Sequence, residues 1–312
     1  MYDSIKTAYL KMGFKGIIRY LLQQSIGMQH YEDNIDTILY FLNYYADIKT
    51  FPKATGNIRK LQEGDVLLLR IVDKVCKKYK FEYWIDAGTL LGAVRHKGFI
   101  PWDDDMDINM MRETYEKARP ILEKELGQYG ISVQEKTEEP IAHTGIGYHH
   151  NKTGLWIDLF PFEYSTVDSK RAEEIKEYNW HCLKYQKVWR NKKNKYTREQ
   201  MFSRRKKMIP EICDREHAKS IINCPEWCPK PMVFPMETIL PARPIMFEGY
   251  GILAPQKPEE YLTVFYGNYM GFPKSGLMHH GDKNGNLAER AKIHGIDMDQ
   301  ILEELEHIFN SI

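Results

Sequence analysis

The sequence has no long hydrophobic run and few cysteines. Nowhere in its 312 residues do about 18 apolar residues follow one another, so no segment is expected to span a bilayer. The five cysteines are an odd number without regular spacing, and no secretory signal precedes them, which indicates reduced thiols in a cytoplasmic protein. A net charge of +1 favours no class of partner. The composition is that of an ordinary globular protein.

Three cysteines, Cys213, Cys224 and Cys228, are close enough in sequence to suggest a structural zinc site. Cys182 or His217 would supply the fourth ligand. The spacing matches no common zinc motif, so ordinary thiols are the favoured interpretation.

A cluster of aspartates carries most of the chemistry in this sequence. Its alternation with apolar residues is typical of a strand, on which Asp103, Asp105 and Asp107 would share one face. Asp104 is expected on the opposite face, as a surface acid or as an acid that supports the metal ligands without contacting the metal. Three carboxylates on one face repel one another unless a cation lies between them, and oxygen ligands favour Mg²⁺ or Mn²⁺ over zinc. The pattern therefore predicts a divalent metal site.

A further acid, Asp158, lies in a second apolar segment that reads as a strand. A charge there is costly unless it has a partner. If this strand lies beside the one with Asp105 and Asp107, the carboxylates converge. Together with a preceding turn at Gly88 and Thr89 that leads into a helix, this is the order of parts in a nucleotidyltransferase.

The turn indicates phosphate chemistry. Gly88 and Thr89 would let backbone amides and a hydroxyl approach a phosphate at the helix N-terminus. Metal ions held by the aspartates would bridge phosphate oxygens and position the attacking and leaving groups. Asp86, just before the turn, could cap it or take part in catalysis, and capping is the favoured interpretation.

Charged residues beside the turn and the strands are predicted to take part in transfer. Arg95 and Lys97 would neutralise charge on a leaving nucleotide. His96 would contact phosphate or stabilise its loop. Asp158, or metal-bound Asp103, would accept the proton of an attacking hydroxyl.

Helix and strand patterns alternate along the chain. Asp65 is predicted as an N-cap and Pro120 as the site of a helix break or kink. Helices are predicted at 33–46, 65–78, 112–126, 258–265 and 296–309, and strands at 81–85, 131–134, 141–148, 155–160 and within 246–253. This predicts an α+β fold with a mixed sheet flanked by helices.

Two segments are basic and helical in pattern. Residues 1–30 carry separate apolar and basic stripes, which are typical of a helix lying on an anionic membrane, although a helix packed on the domain's own core is the alternative. Residues 170–219 hold 16 Lys or Arg and 7 Asp or Glu. They predict either solvated surface helices or a basic wall facing a polyanion such as nucleic acid, lipid or a diphosphate-linked acceptor.

We therefore predict an N-terminal helical segment at 1–60, a catalytic domain at 61–280 with a basic helical insertion at 170–220, and a C-terminal helix at 281–312. His279 and His280 follow a Gly-Phe-Pro-Lys-Ser-Gly loop. They would close over the site or belong to a surface loop.

The block from Asp86 to Ile108 resembles the LicD family of phosphocholine transferases, which is related to fukutin-related ribitol-phosphate transferases. Trp156 to Phe160 and Tyr261 to Met270 also match the pattern of that family. The resemblance implies a nucleotidyltransferase fold, a Mg²⁺ or Mn²⁺ cofactor, and a CDP- or CMP-activated donor. It implies transfer of a phosphocholine-type head group, which includes phosphoethanolamine and aminoethylphosphonate, to a hydroxyl of a cell-surface glycan with release of CMP.

Carried over to this sequence, the family's catalytic and metal-binding positions are Asp103, Asp105, Asp107 and Asp158. The positions that would hold the donor phosphates are Gly88, Thr89 and Arg95, and Arg95 is also counted as catalytic. Further predicted contacts with substrate or nucleotide are His96, Lys97, Trp156, His279 and His280.

The head group and the acceptor are less constrained by the sequence. Choline favours an aromatic cage, for which the candidates are Tyr148, Trp156, Phe162, Tyr164 and Tyr266. A primary amine favours a carboxylate such as Glu163 or Glu248. The acceptor is expected to be a polyprenyl-diphosphate-linked glycan at the inner face of the membrane.

Two other functions fit part of the sequence pattern. A nucleotide-sugar glycosyltransferase also uses an Asp-x-Asp metal site. A protein that binds nucleic acid through residues 170–219 would bind any duplex with steep salt dependence. The transferase is preferred, with no nucleic acid among its partners.

Overall fold

The structure is a computed structural model that describes residues 40–136, 143–168, 170–171, 174, 211–223, 232–272 and 294–312. The predicted N-terminal amphipathic helix, most of the basic segment, Cys182, Cys224, Cys228, His279 and His280 lie outside the described residues. The chain divides into two units, residues 1–52 with 268–279 and residues 53–267 with 280–312. The predicted domain boundaries at 60 and 280 stay predictions.

The larger unit contains the candidate site. Its helices are α1 (Gly56–Tyr79), α2 (Ala87–His96), α3 (Arg112–Gly127), α4 (His150–Thr153), α5 (Met236–Ile239), α6 (Pro258–Tyr266) and α7 (Met298–Ser311). Its strands are β1 (Trp84–Ile85), β2 (Met106–Met111), β3 (Ile131–Lys136), β4 (His143–Tyr148), β5 (Trp156–Ser165), β6 (Ser220–Asn223), β7 (Val233–Pro235), β8 (Arg243–Phe247) and β9 (Tyr250–Ala254).

The described strands β1 to β7 form one mixed sheet in the order β1-β2-β5-β4-β3, and β6 joins β5 to β7. Strands β2 and β5 are parallel, whereas β1 pairs with β2 and β4 pairs with β5 in antiparallel fashion. β5 changes neighbour along its length, because β4 pairs with its first half and β6 with its second half. The separate hairpin β8-β9 is antiparallel. The α+β prediction is confirmed.

The core is built from the apolar faces that the sequence patterns indicate. α1 buries Leu68, Val72 and Val75 completely, and β2 and β5 bury Ile108 and Leu159 at paired positions. The C-terminal helix α7 packs along α1, where the Lys74 ammonium donates to the Phe309 carbonyl at 2.6 Å. The described residues include no helix that is both long and apolar enough to cross a membrane.

The prediction that Asp65 caps a helix is wrong, because α1 begins at Gly56 and Asp65 lies in its middle. α3 runs through Pro120 as one helix, so the chain has no break there, and the kink offered as the alternative stays a prediction. The other predicted elements lie close to the observed ones, and the described part of 33–46 is helical at residues 40–45.

The smaller unit is described at residues 40–52 and 268–272. The side-chain oxygen of Asn43 accepts a hydrogen bond from the Phe272 amide at 2.8 Å, and the rings of Phe51 and Phe272 meet edge to face at 5.7 Å. These contacts join the two sequence segments of the unit.

Candidate metal and phosphate site

The N-terminus of α2 is fixed to the start of β2 by two hydrogen bonds. The Asp86 amide donates to the Asp107 carbonyl, and the Asp107 amide donates to the Thr89 hydroxyl, each at 2.9 Å. Gly88 and Thr89 therefore lie in the first turn of the helix itself and not in a turn before it. Ala87 adopts a left-handed backbone with φ of 42°, which is strained for a residue with a side chain. This places the helix N-terminus beside the acids.

Three of the aspartates lie in the loop before β2, not in the strand. β2 begins at Met106, because the Asp103 amide first closes a turn by donating to the Ile100 carbonyl at 2.9 Å. Asp103, Asp104 and Asp105 each offer a carboxylate oxygen, and these oxygens lie within 4.8 Å of one another. The prediction that Asp104 faces away from the cluster is therefore wrong, because that prediction assumed an extended strand.

Asp107 and Asp158 occupy directly paired positions on the parallel strands β2 and β5. This is the juxtaposition that the two sequence segments predict. Burial is the largest cause of the raised pKa of Asp107, and the charges of Asp105, Asp86, Asp158 and Asp103 add to it. The carboxylates of the loop and of both strands thus belong to one electrostatic cluster.

Burial and mutual repulsion make ionisation of these acids unfavourable without a cation. Burial, with the charges of Asp105 and Asp104, raises the pKa of Asp103 to about 8, in spite of the opposing influence of Arg95. Burial also raises the pKa of Asp107 well above its ordinary value. A divalent cation would relieve this repulsion.

The shape of the cluster fits a divalent cation. Oδ2 of Asp103 is buried and has no hydrogen-bond partner among the described residues. A Cβ on Gly88 would lie 2.6 Å from this oxygen, so only glycine allows the helix turn to approach it so closely. An all-carboxylate set of ligands suits Mg²⁺ or Mn²⁺.

Asp158 has the partners that its place in an apolar strand requires. Its Oδ1 accepts a hydrogen bond from the Trp156 indole at 2.5 Å and lies 3.0 Å from Nε2 of His143. His143 is buried on β4 and stacks on Phe160. The sequence gives no local signal for His143, because its contact with Asp158 depends on how β4 and β5 pair.

The segment that carries these acids matches a known protein family. The model of the LicD/FKTN/FKRP nucleotidyltransferase domain matches residues 80–226, which include α2, the aspartate loop, β2 and β5. This match covers less than half of the chain. The resemblance that the sequence motifs indicate is confirmed.

Curated relatives match shorter segments. Lipopolysaccharide cholinephosphotransferase LicD of Haemophilus influenzae is 48% identical over 60 residues, which cover 18% of this chain and 23% of that protein. Ribitol 5-phosphate transferase FKRP of Mus musculus is 31% identical over 97 residues and that of Homo sapiens 29% over 94, each covering 30% of this chain and 19% of the relative. The chain thus matches less than a quarter of the length of these relatives.

Three basic residues lie at the C-terminal end of α2. Arg95 is buried, and burial lowers its pKa to about 10, while Tyr266 and Asp103 oppose that shift. Its Nε donates to Nε2 of His96 at 3.0 Å. Lys97 is exposed, ends the helix with φ of 60°, and donates to the Val94 carbonyl at 3.3 Å. Arg95 therefore acts electrostatically on Asp103 and lowers its pKa against the effect of burial.

Helix α1 contributes two residues that sequence reasoning missed. Gln62 donates to the Asp103 carbonyl at 2.8 Å and so fixes the aspartate loop. Asp65 is fully buried, and its Oδ1 accepts the backbone amide of Trp156 at 3.0 Å. Burial, the largest influence, and the charges of the aspartate loop raise its pKa well above the usual value, while the Trp156 amide opposes this. The two residues tie both acid-bearing segments to one helix.

Helix α6 closes another side of the cluster. Asp86 is at the N-cap position of α2 but makes no capping bond with its side chain; its Oδ1 instead accepts the Tyr261 hydroxyl at 2.6 Å. The predicted capping role is therefore wrong. Tyr266, at the end of α6, is 43% exposed. The remaining burial is the largest cause of its raised pKa, and the charges of Asp86, Asp107 and neighbouring aspartates add to it. Tyr266 thus combines exposure with proximity to the acids.

Two of the aromatic residues suggested for a choline cage have other partners. Phe162 is buried and packs edge to face on Trp84 at 5.3 Å. The Tyr148 hydroxyl donates to Glu304 of α7 at 2.9 Å. These residues support the core and the docking of α7.

The two carboxylates suggested for binding a primary amine are also engaged. Glu163 accepts from Arg112 at 2.7 Å. Glu248 accepts from Lys53 at 2.6 Å and from Arg59 at 3.0 Å. Each negative charge is thus already neutralised by a cation of the chain, which contradicts the suggested role.

Proposed function

We propose that this chain is a metal-dependent phosphotransferase that moves a phosphocholine-type head group from a CDP- or CMP-activated donor to a hydroxyl of a cell-surface glycan. The observation that carries the proposal is the convergence of the aspartate loop with the Asp107–Asp158 pair at the N-terminus of α2. The names of the relatives support the class of reaction, since one is a cholinephosphotransferase and another a ribitol 5-phosphate transferase.

The acids would hold the metal, and a bound Mg²⁺ or Mn²⁺ would neutralise phosphate oxygens and draw them into one geometry. The proposed ligands are Asp103, Asp105, Asp107 and Asp158. Asp104 joins this set as a further candidate, because its carboxylate lies with those of Asp103 and Asp105.

The chain's own groups would bind and orient the donor. The first-turn amides of α2 at Gly88 and Thr89 point out of the helix N-terminus, where they favour a negatively charged phosphate. Arg95 supplies a buried positive charge near the acids, and such a charge is stronger in a poorly hydrated site than in water. Asp158 is proposed as the acceptor of the proton from the attacking hydroxyl.

Release of CMP would follow from attack of the glycan hydroxyl on the phosphorus next to the head group. The new bond joins the glycan oxygen to that phosphorus, and the bond to the CMP phosphate oxygen breaks. The hydroxyl proton passes to the base, and the leaving oxygen carries its electron pair with CMP. His96, Lys97, His279 and His280 stay predicted substrate contacts.

Tyr266 is the aromatic residue that best suits recognition of the head group. It is exposed and close to the acids, whereas Phe162 and Tyr148 are occupied elsewhere. An aromatic face attracts a quaternary ammonium group, so Tyr266 favours phosphocholine among the candidate head groups.

The glycan is proposed to be attached to a polyprenyl-diphosphate carrier at the inner face of the cell membrane. The basic patterns of residues 1–30 and 170–219 support this proposal. Co-sedimentation with anionic vesicles tests it, and unchanged partitioning of a variant without residues 1–24 would count against the N-terminal helix as the contact.

A panel of donors tests the reaction itself. The full chain is incubated with Mg²⁺, an acceptor glycan and CDP-choline, CDP-ethanolamine, CDP-ribitol or CMP-aminoethylphosphonate, and both CMP and the mass of the glycan are measured. We expect CMP release with one of these donors and loss of it in Asp105→Asn, with Glu113→Gln, an exposed acid of α3, as the matched control. Release of a nucleoside diphosphate from a nucleotide sugar would instead identify a glycosyltransferase.

A further inference from the structure

Trp156 donates hydrogen bonds to two acids. Its backbone amide donates to Oδ1 of Asp65 at 3.0 Å, and its indole Nε1 donates to Oδ1 of Asp158 at 2.5 Å. Only 6% of the residue is exposed. A side chain that is buried and already bonded at its polar atom is poorly placed to stack on a substrate.

The strand next to β5 leaves room for this ring. Gly145 of β4 pairs directly with Asp158, and a Cβ at Gly145 would lie 1.5 Å from Cζ2 of Trp156. The indole therefore occupies the space where any other residue would have its side chain. Absence of a side chain at Gly145 is what allows Nε1 to reach the carboxylate beside it on the sheet.

A second group contacts the same oxygen from β4. Nε2 of His143 lies 3.0 Å from Oδ1 of Asp158, and only 3% of His143 is exposed. The contacts of Trp156 and His143 thus converge on Oδ1. Groups that contact a ligand carboxylate in this way fix its orientation, and their loss typically costs about 10- to 100-fold in metal affinity or activity.

We propose that Trp156 is a positioning residue that orients Asp158 for metal binding, with Gly145 providing the space for its indole and Asp65 fixing its backbone. The proposal rests on the assignment of Asp158 to the metal site in the proposed function. It replaces the predicted role of Trp156 as a substrate contact.

Two variants test the proposal by different routes. Trp156→Phe keeps an aromatic ring but removes the Nε1 donor. Gly145→Ala keeps every donor and acid but displaces the ring. Gly127→Ala is the matched control, because a Cβ at Gly127 meets no atom within 4 Å and the backbone there is not left-handed.

The first measurement is the dissociation constant of Mn²⁺ with the full chain, from the resonance of free Mn²⁺ in electron paramagnetic spectra. We expect both variants to bind Mn²⁺ about tenfold more weakly and the control to match the wild type. In donor assays we expect kcat to fall by a similar factor with little change in KM for the donor. Unchanged Mn²⁺ affinity in a folded variant, or a higher KM alone, would overturn the positioning role.

The second measurement is the chemical shift of the Trp156 indole N–H. It can be made without enzyme activity and without a substitution at Trp156. A short hydrogen bond to a carboxylate shifts the indole N–H proton of Trp156 downfield in ¹H–¹⁵N spectra. We expect that resonance to move upfield in Asp158→Asn and Gly145→Ala, and no response would overturn the proposal. If the wild type releases CMP from no donor while these Mn²⁺ and spectral changes persist, the proposed function fails and the positioning role stands.

Discussion

Two sets of partly buried carboxylates in this chain have opposite electrostatic surroundings. Glu248 accepts hydrogen bonds from Lys53 and Arg59, which keep its pKa below the usual value although burial acts to raise it. Asp103 lies among other aspartates, and its pKa rises to about 8, because burial and their charges outweigh the influence of Arg95.

The difference separates a structural acid from an acid of the site. Lys53 and Arg59 neutralise the charge of Glu248, so its ionised form is stable in the folded chain. The Glu248 carboxylate also accepts a hydrogen bond from the Phe99 amide at 3.1 Å, which fixes the loop after α2. The aspartates lie close enough for their charges to raise one another's pKa. Such an arrangement costs stability and is retained where the protein needs a concentrated negative charge, as in a cation site.

The largest expected effect comes from removing one acid of the cluster. We predict that Asp107→Asn lowers kcat at least about 100-fold, because Asp107 lies at the junction of the loop acids and Asp158. In metal-free buffer its free energy of unfolding should be equal to that of the wild type or higher, because one repelling charge is gone. Steady-state CMP release and urea unfolding measure the two quantities.

A loss of stability in metal-free Asp107→Asn would contradict this account. It would show that Asp107 supports the fold in the way that Glu248 does, and the contrast between the two sets of acids would fail.

The second prediction concerns pH. The pKa of Asp103 rises from 3.8 to about 8 on folding, so between these values the folded state binds more protons than the unfolded state. Stability of the metal-free chain should therefore fall as pH rises through this range and level off above about 8. Mg²⁺ must displace those protons, so the rise in Tm that it causes should be larger at pH 8.5 than at pH 5.5.

Thermal unfolding at both pH values with EDTA or Mg²⁺ measures this difference. An equal rise in Tm at the two pH values would show that the cation binds elsewhere than at the aspartate cluster.

The smallest effect on activity is expected at the paired acid. Glu248→Gln should lower the free energy of unfolding by about 1–3 kcal/mol, because it weakens hydrogen bonds to two cations. Its kcat per folded molecule should stay close to the wild-type value. The exposed pair Lys117–Glu113 provides the control, and Glu113→Gln should leave Tm unchanged. A fall in kcat without a fall in Tm would instead show that Glu248 takes part in the reaction.

The sequence was sufficient to predict those acids of the site that lie within short motifs. Asp107 and Asp158 each lie in a short motif, so the sequence suggests that they meet if their strands are neighbours, and the observed pairing of β2 with β5 meets that condition. The assignment of Asp104 failed because it assumed that the strand begins before Met106, whereas a turn ending at Asp103 comes first.

Long-range contacts explain what sequence reasoning missed. His143 and Asp65 meet Asp158 and Trp156 only after β4, β5 and α1 have packed together. Asp65 resembled an N-cap because the polar first turns of α1 conceal that the helix has already begun at Gly56. No spacing in the sequence reports such contacts.

The pairing of Asp107 with Asp158 also has a consequence for folding. Neighbouring strands lie about 4.8 Å apart in any sheet, so the width of this part of the site is set by backbone hydrogen bonds and not by side-chain choice. A slip of one residue would present Ile157 or Leu159 in place of Asp158 and abolish the pair. The hydrogen bonds between β2 and β5 therefore set the spacing of these two acids, which is fixed as soon as the two strands pair in this register.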